Sequence, residues 1–238
     1  MFATVRLAHP GKPLWLIGWW HVLALFCFYW VGWCYRLRAW GATQVPRHGP
    51  VLLVANHQSF LDPIVVGLGC RHRQFGSMAR SNLFDHWLFA WLIRSLGAIP
   101  VKQGIGDKSA LRRCIDVLKT GQTFLIFPEG ARTIDGKTHR FSPGTMLLIK
   151  RARPHVVPVA IEGAFRVWPQ IRRRPGLSGQ IHIRLGRPIP AETLIQMGST
   201  AALDHLHDQI ETMRQELAKH MGRSKRPGEG LQLSRRAI

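Results

Sequence analysis

Two short stretches hold the residues best suited to chemistry: Asn56-His57-Gln58-Ser59-Phe60-Leu61-Asp62-Pro63 and Phe127-Pro128-Glu129-Gly130-Ala131-Arg132-Thr133. In the first, a single loop turn can fold His57 back onto Asp62. A carboxylate on one imidazole nitrogen fixes the tautomer and stabilises the imidazolium, leaving the other nitrogen to take a proton from a hydroxyl. Asp62 followed by Pro63 also reads as a helix N-cap with proline at the first helical position. The two readings are compatible, since a carboxylate has two oxygens. In the second stretch, a proline and a glycine bracket a carboxylate, with a guanidinium three residues on. Arg132 can grip a phosphate bidentately, and the Gly130 backbone can approach it closely. Glu129 would repel a phosphate, so it is expected to orient Arg132 or to bond a substrate hydroxyl. A surface turn carrying an ion pair is the bland alternative for this stretch.

Both stretches follow apolar runs that read as strands, and ligands of open α/β sheets bind at strand exits. Strands are predicted at residues 51–55, 74–79, 98–101, 123–127, 156–161 and 180–185. Helices are predicted at 63–70, 83–96, 108–119 and 144–152, the second too short to span a bilayer and suited to a core or interfacial position. Leu203, Leu206, Ile210, Met213 and Leu217 recur at spacings of three and four, the stripe of an amphipathic C-terminal helix. This alternation implies an α/β domain whose sheet is mainly parallel or mixed and flanked by helices.

Residues 13–35 carry no formal charge and are dense in Trp, Phe and Tyr. As a helix the run would reach roughly 35 Å, enough to cross a bilayer. Aromatics scattered along its whole length suit a segment lying partly among headgroups. The expected organisation is a membrane-anchoring helical segment at 1–40, an α/β domain at 41–221, and a basic disordered tail at 222–238. The 238 residues carry 33 Lys+Arg against 13 Asp+Glu, a formal net charge of +20. Such a balance expects an anionic partner: nucleic acid, an anionic membrane surface or a phosphorylated small molecule. Nothing resembles a helix-turn-helix, zinc finger or RNA-recognition signature, and the aromatics cluster away from the basic residues, so nucleic acid is not expected. Cys27, Cys34, Cys70 and Cys114 form no CxxC pair or metal-ligand spacing, which argues against a disulfide framework or zinc site and fits a reducing compartment.

Taken together, the motifs resemble those of the membrane glycerolipid acyltransferases of the 1-acylglycerol-3-phosphate type. The family's NHxxxxD block reads NHQSFLD here, and its FPEGTRS block reads FPEGART. Residues 96–103 and 156–163 align with its second and fourth blocks, in order, and the likeness runs over about residues 51–190. Gln103 stands where the family usually has a phosphate-contacting arginine; Lys102 beside it offers charge without the planar fork.

The resemblance implies transfer of a fatty acyl group from acyl-CoA or acyl-carrier protein to the hydroxyl of a lysolipid, with lysophosphatidic acid the default acceptor. His57 would be the general base and Asp62 its orienter. Glu129, Gly130, Arg132 and Lys102 would hold the head group, Ser59 would serve as a hydrogen-bonding loop residue, and Asn56 or backbone N–H groups would steady the oxyanion. No metal or cofactor is implied, and the active site is expected on the cytoplasmic side of the membrane. The alternatives are another lysolipid acceptor, a thioester hydrolase on the same scaffold, an inactive membrane scaffold, and a membrane-attached nucleic-acid-binding protein.

Overall fold

Arginine 73 has no solvent exposure and no carboxylate partner among the described residues, yet it is held at three points. Its Nη1 donates to the carbonyls of Pro46 (3.0 Å) and Gly49 (2.9 Å), and its Nη2 to that of Gly121 (2.8 Å). These carbonyls precede two strands that lie side by side at the centre of the molecule, so one side chain ties their starting ends together. The computed structural model describes residues 13–102 and 107–223; Gln103, the first twelve residues and the tail beyond residue 223 lie outside the described residues.

In chain order, the first elements are helix α1 (Leu14–Cys27), continued by a π-helical turn Phe28–Gly32, then β1 (Arg38–Trp40), β2 (Val51–Ala55) and α2 (Asp62–Gly69). Next come β3 (Phe75–Arg80), α3 (Trp87–Ser95), β4 (Ala98–Val101), α4 (Lys108–Lys119) and β5 (Thr123–Ile126). The remainder is α5 (Gly144–Ala152), β6 (His155–Glu162), α6 (Ala164–Val167), β7 (His182–Leu185), β8 (Ile189–Pro190), α7 (Ala191–Gln196) and α8 (Ser199–Arg223).

The eight described strands form one mixed sheet in the order β1-β7-β6-β2-β5-β3-β4, with β8 paired to β6. Strands β6, β2, β5, β3 and β4 run parallel, whereas β7 and β8 pair antiparallel to β6. β2 is central and apolar at every position, the pattern of a strand covered on both faces. Its alternate residues feed two core layers. Leu52 and Val54 pack with α4, α5 and α8; Val51, Leu53 and Ala55 pack with α2 and with Trp20, Val31 and Tyr35 of the N-terminal segment.

The strands expected at 51–55 and 98–101 and the helices at 108–119 and 144–152 are found with those bounds. The helix expected at 83–96 begins only at Trp87. A 3-10 turn at Ser81–Phe84 and an extended His86 (φ −91°, ψ 116°) interrupt the chain before it. β1 lies within the stretch expected to be anchor only, because Arg38–Trp40 pair in register with His182–Arg184 of β7. α8 runs to Arg223 and so takes in the first two residues of the expected tail.

Arg73→Leu removes the guanidinium that ties together the carbonyls of Pro46, Gly49 and Gly121. It is expected to lower unfolding stability by about 3 kcal/mol or more, measured by urea denaturation, while the shape of the strand exits at the other end of the sheet is kept.

Candidate active site

Both chemically promising stretches leave the sheet at the same edge, His57 following β2 and Glu129 following β5, and these strands are hydrogen-bonded neighbours. His57 Nδ1 lies 2.7 Å from Asp62 Oδ2. The same oxygen accepts the backbone N–H of Gln58 (2.6 Å) and of Ser59 (2.7 Å). Asp62 is fully buried and the His57 side chain is 18% exposed. An ionised Asp62 oxygen can only accept, so in the neutral imidazole the proton sits on Nδ1 and Nε2 is the free acceptor. That nitrogen has no hydrogen bond among the described residues. The imidazole is stacked on the Phe127 ring, with centroids 3.9 Å apart and planes 14° apart, which fixes its remaining freedom.

Helix α2 starts at Asp62 itself, after Leu61 at its N-cap. The expected capping role is therefore corrected. The carboxylate turns backward onto the loop that precedes the helix, where two N–H donors and the imidazole converge, instead of forward onto the first helical turn.

Glu129 also differs from expectation. Its Oε1 accepts the backbone N–H of His57 at 2.7 Å and its Oε2 that of His139 at 3.0 Å. It makes no ion pair with Arg132; it ties the histidine's backbone to the 127–142 loop, helped by Thr133 N–H donating to the His57 carbonyl at 2.8 Å. Burial pushes the Glu129 carboxyl up from its ordinary 4.5 to about 7, with nearby Asp62 adding to the rise and the two N–H donors opposing it.

Arg132 is 8% exposed, its guanidinium carbon sits 3.4 Å from the centroid of the Phe60 ring, and its buried Nη1 has no hydrogen-bond partner. Burial, followed by the positive charge of Arg80, lowers its pKa, while Asp62 opposes the change. Two guanidiniums thus stand near each other with no carboxylate paired to either among the described residues, an arrangement that suits an anion. Gly130 supplies φ +74° for the turn between Glu129 and Arg132.

Asn56 and Ser59 are turned away from this chemistry. Asn56 donates to the Ile161 carbonyl (2.9 Å) and accepts the Ile161 N–H (2.8 Å), so its amide bolts the loop to β6 and is not aimed at an oxyanion. Ser59, fully buried, donates to the Trp168 carbonyl (3.0 Å) and accepts from Leu61 N–H (3.2 Å), which makes it a loop brace and not a substrate contact. Lys102 stands at the exit of β4, two strands from β5, and its backbone N–H donates to Asp107 at 3.3 Å. The residues that sequence reasoning missed are Phe60, Phe127, Arg80 and Gln58. Arg80 was findable, since it directly follows a predicted strand. Gln58 is buried and reaches Gly136 O (3.1 Å) and Glu162 Oε2 (3.4 Å), contacts between distant segments that no local pattern encodes.

A family model described as Acyltransferase matches residues 36–162, which enclose both stretches. Among known proteins, the chain is 27% identical over 159 residues to a chloroplastic 1-acyl-sn-glycerol-3-phosphate acyltransferase of Arabidopsis thaliana, covering 65% of this chain and 44% of that one. It is 28% identical over 167 residues to the 1-acyl-sn-glycerol-3-phosphate acyltransferase of Streptococcus pneumoniae, covering 70% and 60%. It is also 30% identical over 167 residues to the lyso-ornithine lipid O-acyltransferase of Pseudomonas aeruginosa, covering 63% of each. The chain thus spans less than two thirds of the length of each of these relatives. The crystal structure of the 1-acyl-sn-glycerophosphate acyltransferase from Thermotoga maritima superimposes with a TM-score of 0.71 at 22% identity, over 91% of this chain and 92% of that one, a likeness of fold.

Asp62→Asn keeps the shape but can present an N–H to the imidazole, favouring the wrong tautomer. Turnover is expected to fall at least about 10³-fold with near-native circular dichroism. Asp62→Ala strands two buried N–H donors as well and is expected to cost about 3 kcal/mol of stability in denaturant titrations.

Protonation of Glu129 removes one of the two acceptors that hold His57 and His139, so the wild-type rate is expected to drop as pH falls through about 7. For stability the sign is opposite: the folded state holds this proton more tightly than the unfolded chain, so the group's contribution is full below its ordinary value and is lost as pH rises through about 7. Glu129→Gln, which cannot titrate and turns an NH₂ toward one of the two donors, should be roughly 10- to 100-fold slower and should lack that step in its pH–rate profile.

Proposed function

The chain belongs to the acyltransferase family, and from that premise we propose that it is an O-acyltransferase carrying a fatty acyl group from acyl-CoA or acyl-carrier protein to the free hydroxyl of a lysolipid. The first acceptor is 1-acyl-sn-glycerol-3-phosphate, giving phosphatidic acid. The observation that carries this reading is the unengaged Nε2 of a histidine whose other nitrogen is fixed by a buried carboxylate.

An alcohol is a weak nucleophile at neutral pH and needs a base within hydrogen-bond reach. Nε2 of His57 takes the hydroxyl proton as the oxygen adds to the thioester carbonyl, and Asp62 stabilises the imidazolium that forms. Collapse of the tetrahedral adduct breaks the carbon–sulfur bond, and the imidazolium proton goes to the departing thiolate. His57 is then neutral again, with no covalent enzyme intermediate. Arg132, with its unpaired Nη1 and with Arg80 nearby, suits a phosphate on the acceptor. Lys102, further along the sheet edge, is a weaker candidate for the same charge.

Helix α1 with its π-helical continuation, Leu14–Gly32, is the one described helix long and apolar enough to cross a membrane. Trp20 packs it against Phe75, while Trp15, Val22, Leu25, Phe26 and Tyr29 stay exposed. A helix held to the domain along one side and bare on the other suits a position in the bilayer surface, where the acceptor resides. Polar thioester donors and four unpaired cysteines favour a cytoplasmic active site.

The test is acyl transfer by membranes containing the wild type or His57→Ala, with long-chain acyl-CoA or acyl-carrier protein as donor. Lysophosphatidic acid and lyso-ornithine lipid are offered separately. The expected result is phosphatidic acid formed by the wild type and lost at least about 10³-fold in the variant. Product from lyso-ornithine lipid alone would keep the mechanism and replace the acceptor. Thioester cleavage without any acylated lipid would show a hydrolase.

A further inference from the structure

The loop between α6 and β7 carries Ile171-Arg172-Arg173-Arg174 and, further on, Leu177. Ile171 and Leu177 are 89% and 95% exposed, and the three arginines are exposed with no ion pair among the described residues. Such side chains on a free loop would carry little meaning, but this loop is held. Tyr35 Oη donates to the Gly176 carbonyl (3.0 Å), Gly176 N–H to the Val167 carbonyl (2.8 Å), and Gly179 N–H to the Cys34 carbonyl (3.2 Å). Trp168 Nε1 donates to the Arg172 carbonyl (3.0 Å). Cys34 and Tyr35 lie where the apolar N-terminal segment enters the domain. Leu177 and Ser178 share a recess there with Arg36 and with Trp33, which is 86% exposed.

We propose that the Ile171–Leu177 loop is a second membrane contact, its arginines seated on the anionic headgroups of the leaflet beside the apolar helix and Ile171 and Leu177 dipping among them. This rests on the reading of α1 as a membrane element. Whether that helix crosses the bilayer or lies in it, its charged-domain end must sit at headgroup depth, and the loop is fastened to that end. Juxtamembrane arginines there gain from the negative surface potential, while their stems and the two aliphatic tips accept apolar surroundings. A nucleic acid would want stacking aromatics between the charges, and the loop's own tips are aliphatic. The contact also bears on the site. Trp168, at the root of the loop, packs 5.1 Å from Phe60, the ring beneath Arg132, so a seated loop would hold the Arg132 mouth close to the lipid surface.

The experiment is vesicle flotation of full-length protein diluted from detergent, with pure phosphatidylcholine against a mixture containing 30% phosphatidylglycerol. Three proteins are compared: wild type, R172Q/R173Q/R174Q, and R112Q/R113Q/K119Q. The last removes three exposed charges from α4, which packs on the sheet face opposite α1. The wild type is expected to prefer the anionic vesicles, and the loop variant to lose about 100-fold of that preference, about fivefold per arginine. The α4 variant should lose no more than about threefold, and the wild-type preference should shrink in high salt. Equal losses in the two variants would mean bulk charge alone and would overturn the loop contact, as would a wild type indifferent to phosphatidylglycerol. Wild type that floats with neither vesicle would sink the membrane reading of α1 together with it. A loop variant that keeps its vesicle preference but shows a raised KM for acyl-carrier protein would assign the arginines to the donor instead.

Discussion

A single carboxylate oxygen organises the site: Oδ2 of Asp62 receives the imidazole Nδ1 and the backbone N–H groups of Gln58 and Ser59, all within 2.7 Å. Burying an aspartate without exposure is unfavourable unless its charge is met by donors. Here the donors come from the residues just before it in the chain, and they can reach one oxygen only if residues 57–62 fold back as a tight loop. That loop is the geometry the chemistry needs. It fixes the histidine's tautomer, presents Nε2 outward and sets Phe60 under Arg132. The stability requirement of a buried charge and the fixed imidazole that the proposed chemistry requires are therefore met by the same three contacts.

The loop is braced from every side by groups that do no chemistry. Phe127 stacks on the ring, Glu129 holds the histidine's backbone N–H, Thr133 donates to its carbonyl, and the Asn56 amide bolts the preceding residue to β6. These braces come from β5 and β6, the two strands that flank β2, so the site inherits the rigidity of the sheet centre. Arg73 secures the opposite end of β2 and β5. The parallel ladders of β2 with β5 and β6 hold the strand ends from which these loops spring in fixed register. The proposed general base gains from this, because its position must be held within about 0.5 Å of the productive geometry.

What was legible in the sequence were features with local signatures. Strand β2 is a run of five apolar residues and was read with its true bounds; α4 and α5 carry clear apolar stripes. The dyad was legible for the same reason, since both partners lie in one loop. Features made by distant segments were not. β1 is three residues long and exists only because β7 lies beside it, so its pattern disappeared into the apolar segment before it. Glu129 stands three residues from Arg132, a spacing that suggests an ion pair as readily as a bond to a substrate hydroxyl. The fold gives both its oxygens to backbone N–H groups at His57 and His139, and no residue type announces a backbone donor. Asn56 and Ser59 look polar and reactive beside a histidine, yet the sheet and the Trp168 loop consume their hydrogen bonds.

The charge distribution shows the same division between composition and place. A surplus of twenty positive charges is evident from counting, but where it acts depends on which bases the few acids neutralise. Glu162, the lone acid of a long basic stretch, is buried against Arg214 at 2.6 Å and also faces Arg166 at 3.4 Å. Glu211 meets Arg214 at 2.7 Å, and hydrogen bonds from Arg214, Gln215 and Thr138 hold its carboxyl down at about 2 although burial alone would raise it. Glu216 pairs with Arg184, and Glu192 with Arg153. Two of these pairs, Arg184–Glu216 and Glu162–Arg214, fasten α8 to the sheet on the layer away from α1, while Glu211 pairs within α8 and Glu192 ties α7 to the end of α5. Arg80 and Arg132 at the strand exits, and the arginines beside the apolar helix, keep no such partner. At the site itself the two acids, Asp62 and Glu129, are engaged by the imidazole and by backbone N–H groups and not by arginine, so the guanidiniums there stay available to an anionic lipid or a phosphate-bearing donor.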